Sequence, residues 1–272
     1  MQRVQRWRRS WVVGVAVTAL LAVAGPAHSL DGRFYVGLKT DASVLRASYD
    51  KAVDNTDPRN ISPQRGRVNR DDDSADEVLY GLGLLGGYRW NLTPDGLYLS
   101  AEIDMAYHGG TLRSRLDGRG TSPGRNQYGE SWPDRWSVEK VKSQGITLKL
   151  GGSPRLLRSW AGSDASIYAL AGVRRIKTQI RAHLTGCFVP TPCQPNEFGS
   201  GTETANEYFT AWTSGLGLEK MLGTHVALRG EVRYTGYLSE DWTKSYFEGR
   251  VKVPVKTDAE EIDFSLGLIW YF

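Results

Sequence analysis

Proton chemistry would start at the four histidines, His28, His108, His183 and His225. A histidine works as a general base only with a hydroxyl or thiol in hydrogen-bond reach and a group that orients the ring. His108 runs into Gly109-Gly110, His183 into Leu184-Thr185, and His225 follows a short turn-like stretch. None is flanked by a recognisable nucleophile–base arrangement. The chain therefore reads as a non-enzyme, with no catalytic residue and no cofactor. Cys187 and Cys193 lack enough neighbouring ligands for zinc, since His183 alone does not complete a set. The five residues between them include Pro190 and Pro192, which suits a small disulfide-closed loop in an oxidising compartment.

Two charge runs are candidate ligand sites. Asp71-Asp72-Asp73 with Asp76 and Glu77 offers hard oxygen ligands for Ca²⁺, but without an EF-hand spacing, so a solvated acidic loop is the simpler reading. Arg113, Arg115, Arg119 and Arg125 offer guanidinium forks to phosphate groups, or simply keep a loop soluble. Trp242, Tyr246 and Phe247 place aromatics in another polar stretch, as a binding surface or a cover.

The larger set of charges falls on a strict period. In residues 97–108, Leu97, Leu99, Ala101, Ile103, Met105 and Tyr107 alternate with Tyr98, Ser100, Glu102, Asp104, Ala106 and His108. Successive strand side chains point to opposite faces, so one face is apolar and the other charged. The 226–237 stretch sets Val226, Leu228, Val232 and Tyr234 against Arg229, Glu231, Arg233 and Thr235. Carried along the chain, the polar face also holds Lys39, Arg89, Lys177 and Glu219, and a network on it is assigned to Glu102, Asp104, Lys149, Arg175, Arg229, Glu231, Arg233 and Asp263.

Those elements are eight: near 32–48, 77–91, 96–113, 136–152, 165–182, 207–221, 225–240 and 259–272. Residues 92–96 and 222–224 are compact turns, and 153–164 is a slightly longer link. Residues 49–76, 114–135, 183–206 and 241–258 are long, polar connections. Even strand number, strands of roughly ten residues and alternating short and long connections fit a transmembrane antiparallel up-and-down β-barrel. Inside a bilayer every peptide group needs a partner, so such a sheet must close.

The N-terminus supports export. Arg3, Arg6, Arg8 and Arg9 precede an uncharged apolar run of 14 residues, Trp11 to Ala24, and then Gly25-Pro26-Ala27-His28-Ser29. This is the order of a secretory signal peptide, and the run is too short for a membrane-spanning helix. The expected division is a cleaved signal at 1–29 and one barrel domain at 30–272. The chain has 34 basic and 30 acidic residues, and the signal holds four of the basic ones and no acidic one. The remainder is formally neutral, which removes the case for nucleic-acid binding.

The last segment carries the most specific motif. Ile262, Phe264, Leu266, Leu268, Trp270 and Phe272 alternate with more polar or smaller residues. Ser265-Leu266-Gly267-Leu268-Ile269-Trp270-Tyr271-Phe272 resembles the C-terminal β-signal of outer-membrane proteins, on Ser265, Gly267, Trp270 and Phe272. The resemblance implies recognition by the barrel-assembly machinery. In fold, length and terminal motif the chain resembles the small eight-stranded outer-membrane family of the OmpA transmembrane domain and the opacity-type adhesins, without a peptidoglycan-binding domain after Phe272. It implies a Gram-negative outer-membrane location and lipid and lipopolysaccharide neighbours. The expected role is structural or surface-interacting, in adhesion or envelope integrity, with an extracellular or host ligand at the loops. An eight-strand barrel is just wide enough for side chains to fill. A narrow ion or solute channel is the alternative, and a lipid-modifying enzyme a more distant one.

Overall fold

The computed structural model describes residues 32–59, 65–94, 96–116, 135–154, 164–187, 198–246 and 248–272. The expected signal peptide therefore lies outside the described residues. The strands are β1 (Gly32–Asp54), β2 (Val68–Asn91), β3 (Tyr98–Gly109), β4 (Leu112–Arg115) and β5 (Arg135–Gly152), followed by β6 (Ala165–Cys187), β7 (Phe198–Met221), β8 (Val226–Tyr237), β9 (Glu240–Tyr246) and β10 (Val251–Tyr271). All pairings are antiparallel between neighbours, and β10 returns to pair with β1 from Tyr35↔Tyr271 to Asp54↔Lys252. Closure removes both sheet edges. β4 and β9 continue the lines of β3 and β8, on β5 and β10 respectively, so the ring has eight staves, as the sequence predicts.

The two ends differ as expected for an outer-membrane barrel. At one end β2 and β3 are joined by a tight turn, in which the Leu92 amide donates to the Leu97 carbonyl at 2.8 Å. Gly96 there has φ +94°, a conformation that costs glycine little. The β7–β8 turn closes likewise, from the Leu222 amide to the Val226 carbonyl at 2.8 Å.

At the other end the expected long loops are largely strand. β1 runs 23 residues, β2 and β7 24 each and β6 23, whereas about ten suffice to cross a bilayer. Much of 49–76, 183–206 and 241–258 thus pairs as barrel wall. Polarity suggested loops there because side chains in those stretches change which face is apolar, not because pairing stops.

That change of parity organises the molecule. In the lower half of β10, Ile262, Phe264, Leu266, Leu268 and Trp270 point outward while Glu261 and Ser265 are buried inside. In its upper half Val251, Val253 and Val255 are buried inside, and Lys252, Pro254 and Lys256 face out. β1 does the same, with Val36, Leu38 and Val44 exposed below and Leu45, Ala47 and Tyr49 buried above. Lipid demands an apolar exterior; water above the membrane demands a polar one and leaves the apolar residues to form an interior core.

The exterior apolar belt runs between aromatic girdles. Phe34, Tyr88, Trp90, Trp270 and Phe272 lie at the short-turn end, where Tyr88 packs on Phe34 (4.5 Å) and Trp90 (4.9 Å). Tyr80, Tyr107, Tyr208, Trp212 and Tyr234 lie at the other, exposed on the outer face. From Ile262 to Phe272 a tilted strand rises about 25 Å, the height of an outer-membrane apolar band.

Candidate functional site

The lumen is filled in layers. Lowest, the Glu219 carboxylate accepts from Arg229 at 2.8 and 2.9 Å, from the Tyr271 hydroxyl at 2.6 Å and from Arg89 at 3.2 Å. Arg89 also lies over the Tyr98 ring, 3.6 Å from its centroid. In the middle, Lys149 spans Glu102 (2.7 Å) and Glu231 (2.8 Å). Arg229 reaches up to Glu102 at 2.5 Å, the Tyr168 hydroxyl donates to Glu231 at 2.5 Å, and Arg233 pairs with Glu231 through its Nε at 2.8 Å. Above, Asp104 accepts from Lys39 (2.8 Å) and Arg174 (2.7 Å). Higher again, Glu261 accepts from Lys140 at 2.6 Å and from the Tyr237 hydroxyl at 2.8 Å. Buried charges persist only when paired in this way, because a lone buried ion costs several kcal/mol.

Over these layers lies the apolar core of the extension. Leu45, Tyr49, Leu79, Trp136, Ile176 and Phe209 belong to one buried cluster. Trp136 stacks on Tyr49 with ring centroids 5.5 Å apart, and its indole N–H donates to Asp73 at 2.8 Å.

The structure brings together most of the predicted network. Glu102, Asp104, Lys149, Arg229, Glu231 and Arg233 are all buried inside and in contact as one system. Asp263 lies on the inner face opposite Arg233 in register, but makes no ion pair with it or with any other described residue. Arg175 is a correction. It points outward, over the Tyr208 ring at 4.6 Å, and its neighbour Arg174 takes the interior place. Ile167 and Val173, both exposed to lipid, share parity with Arg175, and that signal was available in the sequence. Lys39, Arg89 and Glu219, also read on the polar face, join the network. Lys177, read there too, is a second correction: it shares the outward parity of Arg175 and pairs in register with the exposed Tyr208. Lys140 and Glu261, with tyrosines 35, 168, 237 and 271, complete the network beyond the residues named from sequence.

His108 also corrects the sequence reading, because a nucleophile-and-base arrangement exists in space. Its Nε2 lies 2.9 Å from Ser143 Oγ, and its Nδ1 lies 3.4 Å from Asp41 Oδ1. Asp41, Gly81 and His108 are successive partners across β1, β2 and β3. The three members stand on β1, β3 and β5, so no local motif reveals them. Ser143 is 0% exposed and its Oγ also accepts from Arg174 at 3.0 Å. The serine oxygen is thus packed within the plug, and the trio ties three strands together.

The acidic run is split by strand alternation. Asp71 is buried and Asp73 turns inward to Trp136, whereas Asp72, Asp76 and Glu77 are exposed. Among the described residues no group of His, Cys, Asp or Glu is arranged to hold a metal ion. Arg113 and Arg115 are exposed on β4, and Arg119 and Arg125 lie outside the described residues. Cys187 ends β6, but Cys193 lies outside the described residues. Trp242 packs partly on the upper apolar cluster. In the terminal motif Ser265 and Gly267 face inward, and Trp270 and Phe272 face outward, 52% and 69% exposed.

A family model for the outer membrane protein beta-barrel domain matches residues 13–272. The chain belongs to that family. Its place is the outer membrane, and its lipid-facing belt and side-chain-filled lumen are those of a small outer-membrane barrel. None of the curated protein sequences matches the chain. Solved structures of similar fold include the outer membrane protease OmpT from Escherichia coli, at 9% identity, covering 92% of this chain and 99% of that one, with a TM-score of 0.43. OprG from Pseudomonas aeruginosa aligns at 13% identity over 88% of this barrel and 96% of its own chain, with a TM-score of 0.43. Neisserial surface protein A aligns at 12% identity over 88% and 97%, with a TM-score of 0.34.

Proposed function

We propose that this barrel is a closed scaffold with a structural or surface-interaction role, in adhesion or envelope integrity, whose working surface is the extension beyond the bilayer. The filled interior supports this reading. Paired charges from Glu219 up to Glu261 occupy the lumen, and the Leu45–Trp136–Phe209 cluster covers them. Above the belt the strands offer a polar exterior and the connections from β1 to β2 and from β6 to β7, the kind of place where partners bind on a rigid scaffold.

The burial of Ser143 within the plug favours a non-enzymatic role. Residues 1–29 act as the export signal, Cys187 and Cys193 close a loop, and the outward Trp270 and Phe272 serve assembly before they serve packing.

Planar-bilayer recordings on the full chain test the closed scaffold: no unitary steps are expected, and steady steps would replace it with a pore. Binding of cells to matrix-coated surfaces, with and without residues 188–197, tests the surface role. Unchanged binding on deletion removes that loop as the partner site. N-terminal sequencing of protein from outer membranes is expected to start after Ser29.

A further inference from the structure

On the outer wall, one row of paired residues crosses four strands at the upper aromatic girdle. Tyr107 pairs with Lys142, Lys142 with Lys177, and Lys177 with Tyr208. The next row down places Arg175 beside Gln144 and Thr210. Two lysines directly opposite each other on one sheet face repel. Among the described residues neither lysine, nor Arg175, forms an ion pair with a carboxylate. Aromatic faces hold two of them instead: Lys142 lies 5.3 Å from the Tyr107 ring and Arg175 4.6 Å from the Tyr208 ring.

A second feature adjoins these cations. A groove in the lipid-facing wall, lined by Leu84, Ile103, Ile146 and Val173, ends at Gln144 and Arg175. Gly86 and Gly145, which carry no side chain, also line it and leave it room. The opposite wall is mixed, with carboxylates in excess: in register Asp50 stands between Asp72 and Lys256, and Arg46 between Asp76 and Glu260. The positive row is therefore local to β5 and β6.

We propose that Lys142, Arg175 and Lys177 form a binding site for a phosphate of lipid A in the outer leaflet, with one acyl chain lying in the groove below. Such a site requires only the outer-membrane location and stands apart from the adhesion reading. At the girdle the cations stand at headgroup depth, where each Lys or Arg strengthens attraction to an anionic surface. Arg175 offers a planar fork to phosphate oxygens and the lysines offer point charges. A bound phosphate would remove the Lys142–Lys177 repulsion. Arg113, one of the arginines read from the sequence, and Arg181, which is 3.9 Å from Glu139, flank Ser137 higher on the same wall.

The test uses the full chain folded in phosphatidylcholine vesicles doped with bisphosphorylated lipid A or with its dephosphorylated form. Lipid retained per barrel after detergent washing is measured by mass spectrometry. Wild type is expected to retain the bisphosphorylated form preferentially, and inorganic phosphate in the buffer is expected not to displace it. Lys142→Gln, Arg175→Gln and Lys177→Gln are each expected to lower retention by about fivefold. Lys142→Arg with Lys177→Arg should keep it, and Asp72→Asn with Asp76→Asn on the opposite wall should leave it unchanged. Heat-dependent gel migration verifies that each variant folds. Equal retention by the Gln variants, equal retention of dephosphorylated lipid, or cross-linking of the patch to the acidic wall of a second copy independent of lipid A would overturn the proposal.

Discussion

Asp41 and His108 stand on strands that do not pair with each other, yet Oδ1 of one lies 3.4 Å from Nδ1 of the other. The strand between them carries Gly81 at that level, and a Cβ there would overlap the Asp41 carboxylate and come within 2.7 Å of His108 Nδ1. Gly81→Ala is expected to destabilise the barrel by about 1–3 kcal/mol, the range for overpacking. Urea unfolding in lipid vesicles measures it. Asp41→Ala in the Gly81→Ala background should recover part of the loss; an additive double variant would show that the close approach is not the cause.

Glu102 holds Lys149 and Arg229 inside the barrel. Glu102→Gln leaves both cations short of compensating charge, and a loss of about 3–5 kcal/mol is expected. The comparison is Glu260→Gln, which breaks the exposed Arg46–Glu260 contact at 3.7 Å and should cost less than about 1 kcal/mol. Similar losses from the two variants in the same unfolding assay would contradict the layered-lumen account.

Trp136 fills the apolar core above the charged layers, fully buried. Trp136→Ala is expected to cost about 3–5 kcal/mol. It should not create conductance, because the layers from Asp104 down to Glu219 remain paired below it. Channel steps in the variant alone would make the apolar cluster the seal.

Trp270 and Phe272 point into the lipid-facing surface rather than the lumen. Replacing both with Ser is expected to reduce the folded barrel in outer membranes several-fold while refolding into vesicles in vitro changes little. Quantifying heat-shifted protein in both settings separates recognition during assembly from packing. Equal defects in both would leave only packing.

Asp57, beside the β1–β2 connection, is held at about 2 by hydrogen bonds from the Arg59 side chain and amide. The carboxylate is ionised above that value, so the contact persists through neutral pH and is lost as pH falls towards 2. Arg59→Gln should return the midpoint towards the ordinary value near ~4. The Asp57 carboxyl ¹³C shift follows it; an unmoved midpoint would assign the depression to the backbone amide alone.

Much of this architecture is legible in residue order. Strand alternation is local, so the outward faces of Ile103, Leu228 and Leu266 and the inward faces of Glu102, Arg229 and Glu231 follow from their positions alone. The reversal of parity is legible too, in Val251, Val253 and Val255 alternating with Lys252, Pro254 and Lys256, though polarity first suggests loops there. The Arg174–Arg175 pair is ambiguous until the lipid-facing Ile167 and Val173 fix which of the two turns in.

The sequence by itself determined the eight-stave ring, its place in a membrane and the face on which nearly every charge lies, because those depend on a period of two. Only the tertiary structure decided who meets whom. Lys149 between Glu102 and Glu231, Ser143 beside His108, and Lys142 opposite Lys177 all depend on inter-strand register and on how the closed ring brings distant strands together. Register is a collective property of hydrogen bonding around the whole barrel, and a one-residue slip anywhere would reassign every neighbour.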